Sequence, residues 1–156
     1  MTLTTRRLFL KTGLAASTVA VGIGSGLLTP GRLLAAWPEP AFAAQSFERA
    51  LQSTLGTTEL AEGAIEIHAP EIAENGSMVA ITVESTIPDV TEMALFIEKN
   101  NRPLAAQFMP GPKARSMFSI RVKMAETSDV VAAVKANGTW YGAKQEVKVT
   151  LGGCGG

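Results

Sequence analysis

The sequence predicts an all-β fold: an immunoglobulin-like antiparallel β-sandwich with a short N-terminal helix and a flexible C-terminal glycine arm. Three observations predict it. From residue 65 onward apolar residues recur at every second position, the period of a strand with one wet face. Turn signals separate these runs at short, regular intervals. No run between them is long enough to supply the helical crossovers of a parallel sheet.

The first 43 residues stand apart. Arg6-Arg7 is followed by a soft apolar stretch over residues 12–28, rich in Gly, Ala and Ser, and then by the small-residue site Ala41-Phe42-Ala43. Positive head, apolar middle and A-x-A site together describe a secretory signal, with the cut expected after Ala43. The apolar stretch barely reaches the length of a membrane span and is diluted by glycine, so no permanent span is expected. Thr5-Arg6-Arg7-Leu8-Phe9-Leu10-Lys11 matches the twin-arginine pattern at each fixed place. Such leaders serve proteins exported already folded, which places this chain in the periplasm. The expected organisation is a signal over 1–43, a β-sandwich domain over 44–151 and an arm over 152–156.

In the domain, Ser46 caps a short helix whose Phe47, Ala50, Leu51 and Leu55 share one face before Gly56 ends it. Ile65 and Ile67 then alternate with Glu66 and His68; Val79, Ile81 and Val83 alternate with Thr82 and Glu84. Met93, Leu95 and Ile97 form a third run, and Phe118, Ile120, Val122 and Met124 a fourth. A further run covers residues 130–136, and a last one carries Val147, Val149 and Leu151. Turn signals lie at Asn75-Gly76, Pro88-Asp89, residues 100–103 and Pro110-Gly111-Pro112. Asn137-Gly138 predicts a tight hairpin, because both residues tolerate the positive φ of a type I′ turn. Six or seven short strands in this length fit a sandwich.

Charge excludes one class of function. Setting aside residues before Ala44 removes Arg6, Arg7, Lys11 and Arg32 from the 14 basic residues and Glu39 from the 14 acidic ones. That leaves 10 and 13, a net charge near −3, with no basic face for nucleic acid.

The chemistry concentrates in one atom. A single cysteine cannot form an internal disulfide, so in an exported protein it is buried, paired between chains, or a free thiol. Here it sits in Gly152-Gly153-Cys154-Gly155-Gly156, directly after the last apolar run. Glycine populates both signs of φ and carries no side chain, so this arm is thin and flexible. Three residues at no more than about 3.6 Å each let the sulfur swing within roughly 11 Å of Leu151. That suits delivery of a covalently held cargo better than catalysis, which needs a nucleophile held by supporting groups. An ordinary thiol is only about 3% thiolate at neutral pH, and no His, Lys or Arg adjoins Cys154, so activation is left to the enzymes that receive the arm.

Other residues point elsewhere. His68 is expected on the solvent face beside Glu66. Met93 and Met124 lie on apolar strand faces and fill the core, and no Cys/His cluster joins the methionines into a copper site. Trp140-Tyr141 is expected to anchor the core or to join a partner surface. No cofactor or metal is expected.

The twin-arginine leader, the expected sandwich and the Gly152-Gly153-Cys154-Gly155-Gly156 motif together resemble the SoxY family, the carrier subunits of the bacterial Sox thiosulfate-oxidising system. The resemblance implies that Cys154 is loaded with a thiosulfate-derived sulfur species by a c-type cytochrome complex, SoxAX. It implies that a hydrolase, SoxB, then releases sulfate, and that the sulfane dehydrogenase SoxCD acts on the remaining sulfur. It also implies a heterodimer with a second β-sandwich subunit, SoxZ, which lacks its own signal and travels with its folded partner. Three other readings stay open on the residues alone. One is a ubiquitin-like carrier, to which Gly155-Gly156 would supply a terminal thiocarboxylate. The others are a stand-alone thiol enzyme and an assembly module with an incidental tail.

Overall fold

The computed structural model describes residues 39–151. Two short helices come first, α1 (Glu39–Ala43) and α2 (Phe47–Leu55). Nine strands follow: β1 (Ala61–Glu62), β2 (Ile65–His68), β3 (Ile72–Ala73), β4 (Val79–Ser85), β5 (Val90–Ile97), β6 (Leu104–Phe108), β7 (Met117–Val122), β8 (Ser128–Ala136) and β9 (Thr139–Val149).

The helix ends are sealed as the residues dictate. The Ser46 side chain accepts a hydrogen bond from the Arg49 amide at 3.4 Å, a long cap bond that satisfies one of the orphan donors of the first turn. Gly56 closes α2 in the left-handed region at φ 74°, and its amide donates to the Gln52 carbonyl.

The strands form two sheets. The larger runs β1-β9-β8-β5-β6, with β3 also pairing β9; the smaller runs β2-β4-β7. β5, β6, β8 and β9 are joined antiparallel, whereas β1 and β3 are two-residue pieces lying parallel to β9. The β8–β9 hairpin turns through Asn137 at φ 50° and Gly138 at φ 79°, between the pair Ala136 and Thr139, as a type I′ turn requires.

Alternation decides what each sheet faces. In β4, Val79, Ile81 and Val83 are buried, while Ala80, Thr82 and Glu84 point to the wet side, where the Thr82 hydroxyl donates to Ser119 Oγ at 2.8 Å. The inner faces of the two sheets meet in one core containing Ile81, Met93, Leu95, Met124, Val130, Val134 and Val147. β5 and β8 are buried on both faces. Their other side carries Ala94, Phe96, Val131 and Ala133 and lies under the helices, against Ala41, Ala50, Leu51 and Leu55. The fold is thus a β-sandwich with helices across one outer face, which explains why residues 130–134 read as an unbroken apolar run.

Trp140 is core: 6% exposed, with its indole N–H donating to the Leu55 carbonyl at 3.0 Å. Met93 and Met124 are fully buried in the sandwich, as expected of gap-filling side chains. The sequence reading passed over β6, β1 and β3. β6 is short and alanine-rich, with weak strand propensity of its own, and its pairing with β5 recruits it through a register shift between Leu95 and Phe96. The expected domain start at Ala44 falls one residue beyond α1. Among the described residues no helix is long and apolar enough to cross a membrane.

Candidate functional site: the root of the cysteine arm

Cys154 and its neighbours Gly152, Gly153, Gly155 and Gly156 lie outside the described residues. What the structure places is the root from which they depart. β9 pairs with β8 as far as Val147, opposite Ser128. Beyond that point a different set of partners takes over. β3 pairs from the other side, Ile72 with Lys148 and Ala73 with Val149.

Five hydrogen bonds then hold residues 148–151 one after another. The Lys148 amide donates to the Glu71 carbonyl at 2.9 Å, and the Val149 amide to Thr127 Oγ1 at 3.0 Å. The Thr150 amide donates to the Ala73 carbonyl at 3.1 Å while its hydroxyl donates to the Glu74 carbonyl at 2.9 Å. Last, the Leu151 carbonyl accepts from the Gly76 amide at 2.7 Å.

Gly76 is the hinge-pin of this arrangement. Its amide holds Leu151 and its carbonyl accepts from the Met124 amide at 2.7 Å, so the root is tied across the chain to a fully buried core residue. The preceding Asn75 shapes the turn: its side-chain oxygen accepts from the Ser77 amide at 2.8 Å, an Asx turn. Sequence reasoning found the Asn75-Gly76 turn but not its task. Thr150 it passed over; a two-residue parallel strand leaves no periodic signal to find.

Three exposed apolar side chains stand among the polar and charged ones of the root segments. Leu151 is 69% exposed, Ile72 58% and Met78 67%. All three belong to chain segments that the hydrogen bonds above bring together. From Leu151, three further residues reach Cys154, a span of at most about 11 Å.

The remaining candidates are not gathered here. His68 lies on β2, opposite Thr82, with its side chain 58% exposed and its Nε2 3.6 Å from Glu66 Oε2. Among the described residues no group of three or more His, Cys, Asp or Glu stands close enough to hold a metal. Two surface depressions lie on other segments. One, of about 430 Å³, is lined by Asp89, Val90, Thr91, Pro110, Pro112 and Ser116. The other, of about 290 Å³, lies between α2 and the sheet and is lined by Phe47, Leu51, Leu60, Val131, Glu98 and Lys144. Neither is lined by a histidine. Beside the second, the Lys144 ammonium sits 2.6 Å from Asp129 Oδ2, and that hydrogen bond, with the charge behind it, raises the lysine above its ordinary pKa.

Comparison with known proteins adds the following. The model of the family described as sulfur oxidation protein SoxY matches residues 51–154, a span that includes Cys154. The solved structure of the sulfur carrier protein SoxY from Chlorobium limicola f thiosulfatophilum is 41% identical, with 65% of this chain and 94% of that chain covered and a TM-score of 0.60. More distant likenesses include the PKD domain of an M14-like peptidase from the Thermoplasmatales archaeon SCGC AB-540-F20, 20% identical over 55% of this chain and 91% of that one, TM-score 0.37. Another is the endo-beta-1,4-mannanase from Thermotoga petrophila, 9% identical over 67% of this chain and 23% of that one, TM-score 0.42. No curated protein matches the chain.

Proposed function

The chain belongs to the SoxY family of sulfur oxidation proteins, and from that premise we propose that it carries thiosulfate-derived sulfur covalently on Cys154 in the periplasm. One observation carries the reading. The last strand is clamped through Leu151, and three residues further on stands the chain's one cysteine with two glycines on each side. A firm root and an unhindered thiol are the two requirements of a swinging carrier.

The chemistry that follows is an oxidative conjugation. Joining the Cys154 thiol to the outer sulfur of thiosulfate forms one S–S bond and releases a proton and two electrons, which a SoxAX-like c-type haem complex accepts. Addition of one water by a SoxB-like hydrolase then cleaves off sulfate and leaves a persulfide on Cys154. A SoxCD-like dehydrogenase then takes six electrons from the remaining sulfane sulfur while three waters supply oxygen, giving a thiosulfonate on Cys154 from which a further hydrolysis releases sulfate and restores the thiol. In each step the partner supplies the catalytic groups and this chain supplies the tethered substrate. It acts as a covalent carrier rather than as an enzyme, paired with a SoxZ-like β-sandwich subunit and exported folded through its twin-arginine leader.

The test is intact-mass analysis of protein taken from periplasm during growth on thiosulfate. Reductant-labile adducts of sulfane sulfur or thiosulfonate mass are expected on Cys154 and absent from Cys154→Ser. Only unmodified protein under those conditions would sink the proposal. The same variant separates a thiocarboxylate carrier, whose cargo would survive the change.

A further inference from the structure

The two sides of the sandwich differ. One is closed: the chain between β2 and β3 lies against β9, where Gln145 Nε2 donates to the Ala69 carbonyl at 3.1 Å and the Lys148 amide to the Glu71 carbonyl at 2.9 Å. The other is open. There β6 ends the larger sheet and β7 the smaller, and among the described residues no strand pairs with the outer side of either. Phe108 and Phe118 fill the mouth between these two strands, with ring centroids 6.1 Å apart. Beside them Met109 is 70% exposed, and Met117 and Phe108 are each 38% exposed. Apolar side chains gathered in this way on a wet surface mark a place that another molecule covers.

Charge is gathered along the same seam. From residue 99 to residue 125 the chain holds Lys99, Arg102, Lys113, Arg115, Arg121 and Lys123 and no Asp or Glu. These are six of the ten basic residues from Ala44 onward, so the net negative charge of the domain conceals a basic strip. All six are exposed. Arg115 is paired with Glu84 at 2.7 Å; among the described residues the other five have no carboxylate partner. Their positions follow the seam. The Asn100 side chain donates to the Lys123 carbonyl at 2.7 Å and accepts from the Ala125 amide at 3.1 Å. That holds the β5–β6 loop, with Lys99 and Arg102, against the end of β7. Lys113 and Arg115 lie at the opposite end, in the loop from β6 to β7, and Arg121 stands on the wet side of β7 beside Ala80.

We propose that the β6–β7 seam is the docking surface for a second protein chain, one that presents apolar side chains between carboxylates. Burial of the apolar centre supplies affinity, and the free cations select the partner and speed its approach. The same features exclude two other occupants. A second copy of this chain, meeting it about a two-fold axis, would set basic strip against basic strip. A nucleic acid would need a continuous basic track, whereas the middle of this one holds Phe108, Met109 and Met117. The seam ends at Met124, whose amide donates to Gly76, so a chain seated on it also stands next to the root of the arm. The proposal does not depend on what Cys154 carries.

The test places a photoreactive benzophenone amino acid at Met117 of the full chain, in the cells that make it, with the same probe at the exposed Ser53 of α2 as control. The expected product is a conjugate with one other protein, absent from the control, whose linked peptide carries Asp or Glu beside apolar residues. Combining Lys113→Glu, Arg121→Glu and Lys123→Glu should lower its yield at least about ten-fold while the melting temperature stays within about 3 °C. The charge-keeping set Lys113→Arg, Arg121→Lys and Lys123→Arg should leave the yield as it was. Met109→Ser, a change at a side chain too exposed to hold the fold together, should cut the yield several-fold and serves if the charge-reversed chain melts lower. A conjugate with a second copy, with nucleic acid or with lipid overturns the proposal. So does a yield indifferent to charge reversal and to Met109→Ser, or no conjugate above the Ser53 control.

Discussion

Trp140 joins three parts of the molecule through one side chain. Its ring lies in the helix-side core, its indole N–H holds the last carbonyl of α2, and the Lys135 ammonium stands 5.3 Å from the ring centroid. Lys135 is held there by Glu92 Oε1 at 2.8 Å. Trp140→Phe keeps an aromatic ring but leaves the Leu55 carbonyl without its donor, and should lower the unfolding free energy by about 1–2 kcal/mol in urea melts. A change under a few tenths would mean that water replaces the indole at no cost. Two residues on, Gly142 is needed for room: a Cβ there would lie 2.8 Å from Leu60 Cβ and 2.6 Å from its Cδ1. The Cδ1 can swing aside, but the Cβ moves only with its backbone. Neither demand is visible in a sequence whose Trp140-Tyr141-Gly142 reads only as aromatic residues after a hairpin.

At the scale of elements the root of the arm is set by the ends of β3 and β9 and the Asn75-Gly76 turn. Thr150→Val removes the hydroxyl that donates to Glu74 while keeping the shape of the side chain. The expected cost to global stability is about 0.5–1.5 kcal/mol. The sharper signature is local: amide exchange at Gly76 and Thr150 should quicken several-fold more than at core strands such as β5. Uniform quickening across the fold would refute a clamp confined to the root. These elements also mark where sequence reading stops. β2, β4, β5, β7 and β8 were legible because one buried face writes a period of two, or an unbroken run, into the chain. The type I′ turn was legible because few residues tolerate its φ values. β6 was not, since Ala105 and Ala106 say little alone and β5 supplies its pairing. β1 and β3 are too short to carry any period, and their parallel alignment with β9 exists only in three dimensions.

On the scale of the whole molecule, the proposed function assigns anchorage to the domain and cargo to the glycine segment. Among the described residues the fully buried core side chains end at Val147, with Val149 packed partly buried against them. Deleting residues 152–156 should leave the melting temperature within about 2 °C of the full chain and abolish every Cys154 adduct. A larger thermal loss would mean that the segment packs on the domain. The candidate site itself was legible early, because a lone thiol between glycine pairs is a chemical statement in any fold. What needed the structure was the anchorage behind it.

That anchorage has a mechanical meaning. The bonds between antiparallel strands lie across the strand direction, so a pull on Leu151 along β9 loads the β8 ladder in shear, many bonds at once, instead of peeling them open singly. Gly76 passes part of the same load to Met124. Under the proposed function, a partner that grips the sulfur and then lets go would tug on the chain without unravelling the strand behind it.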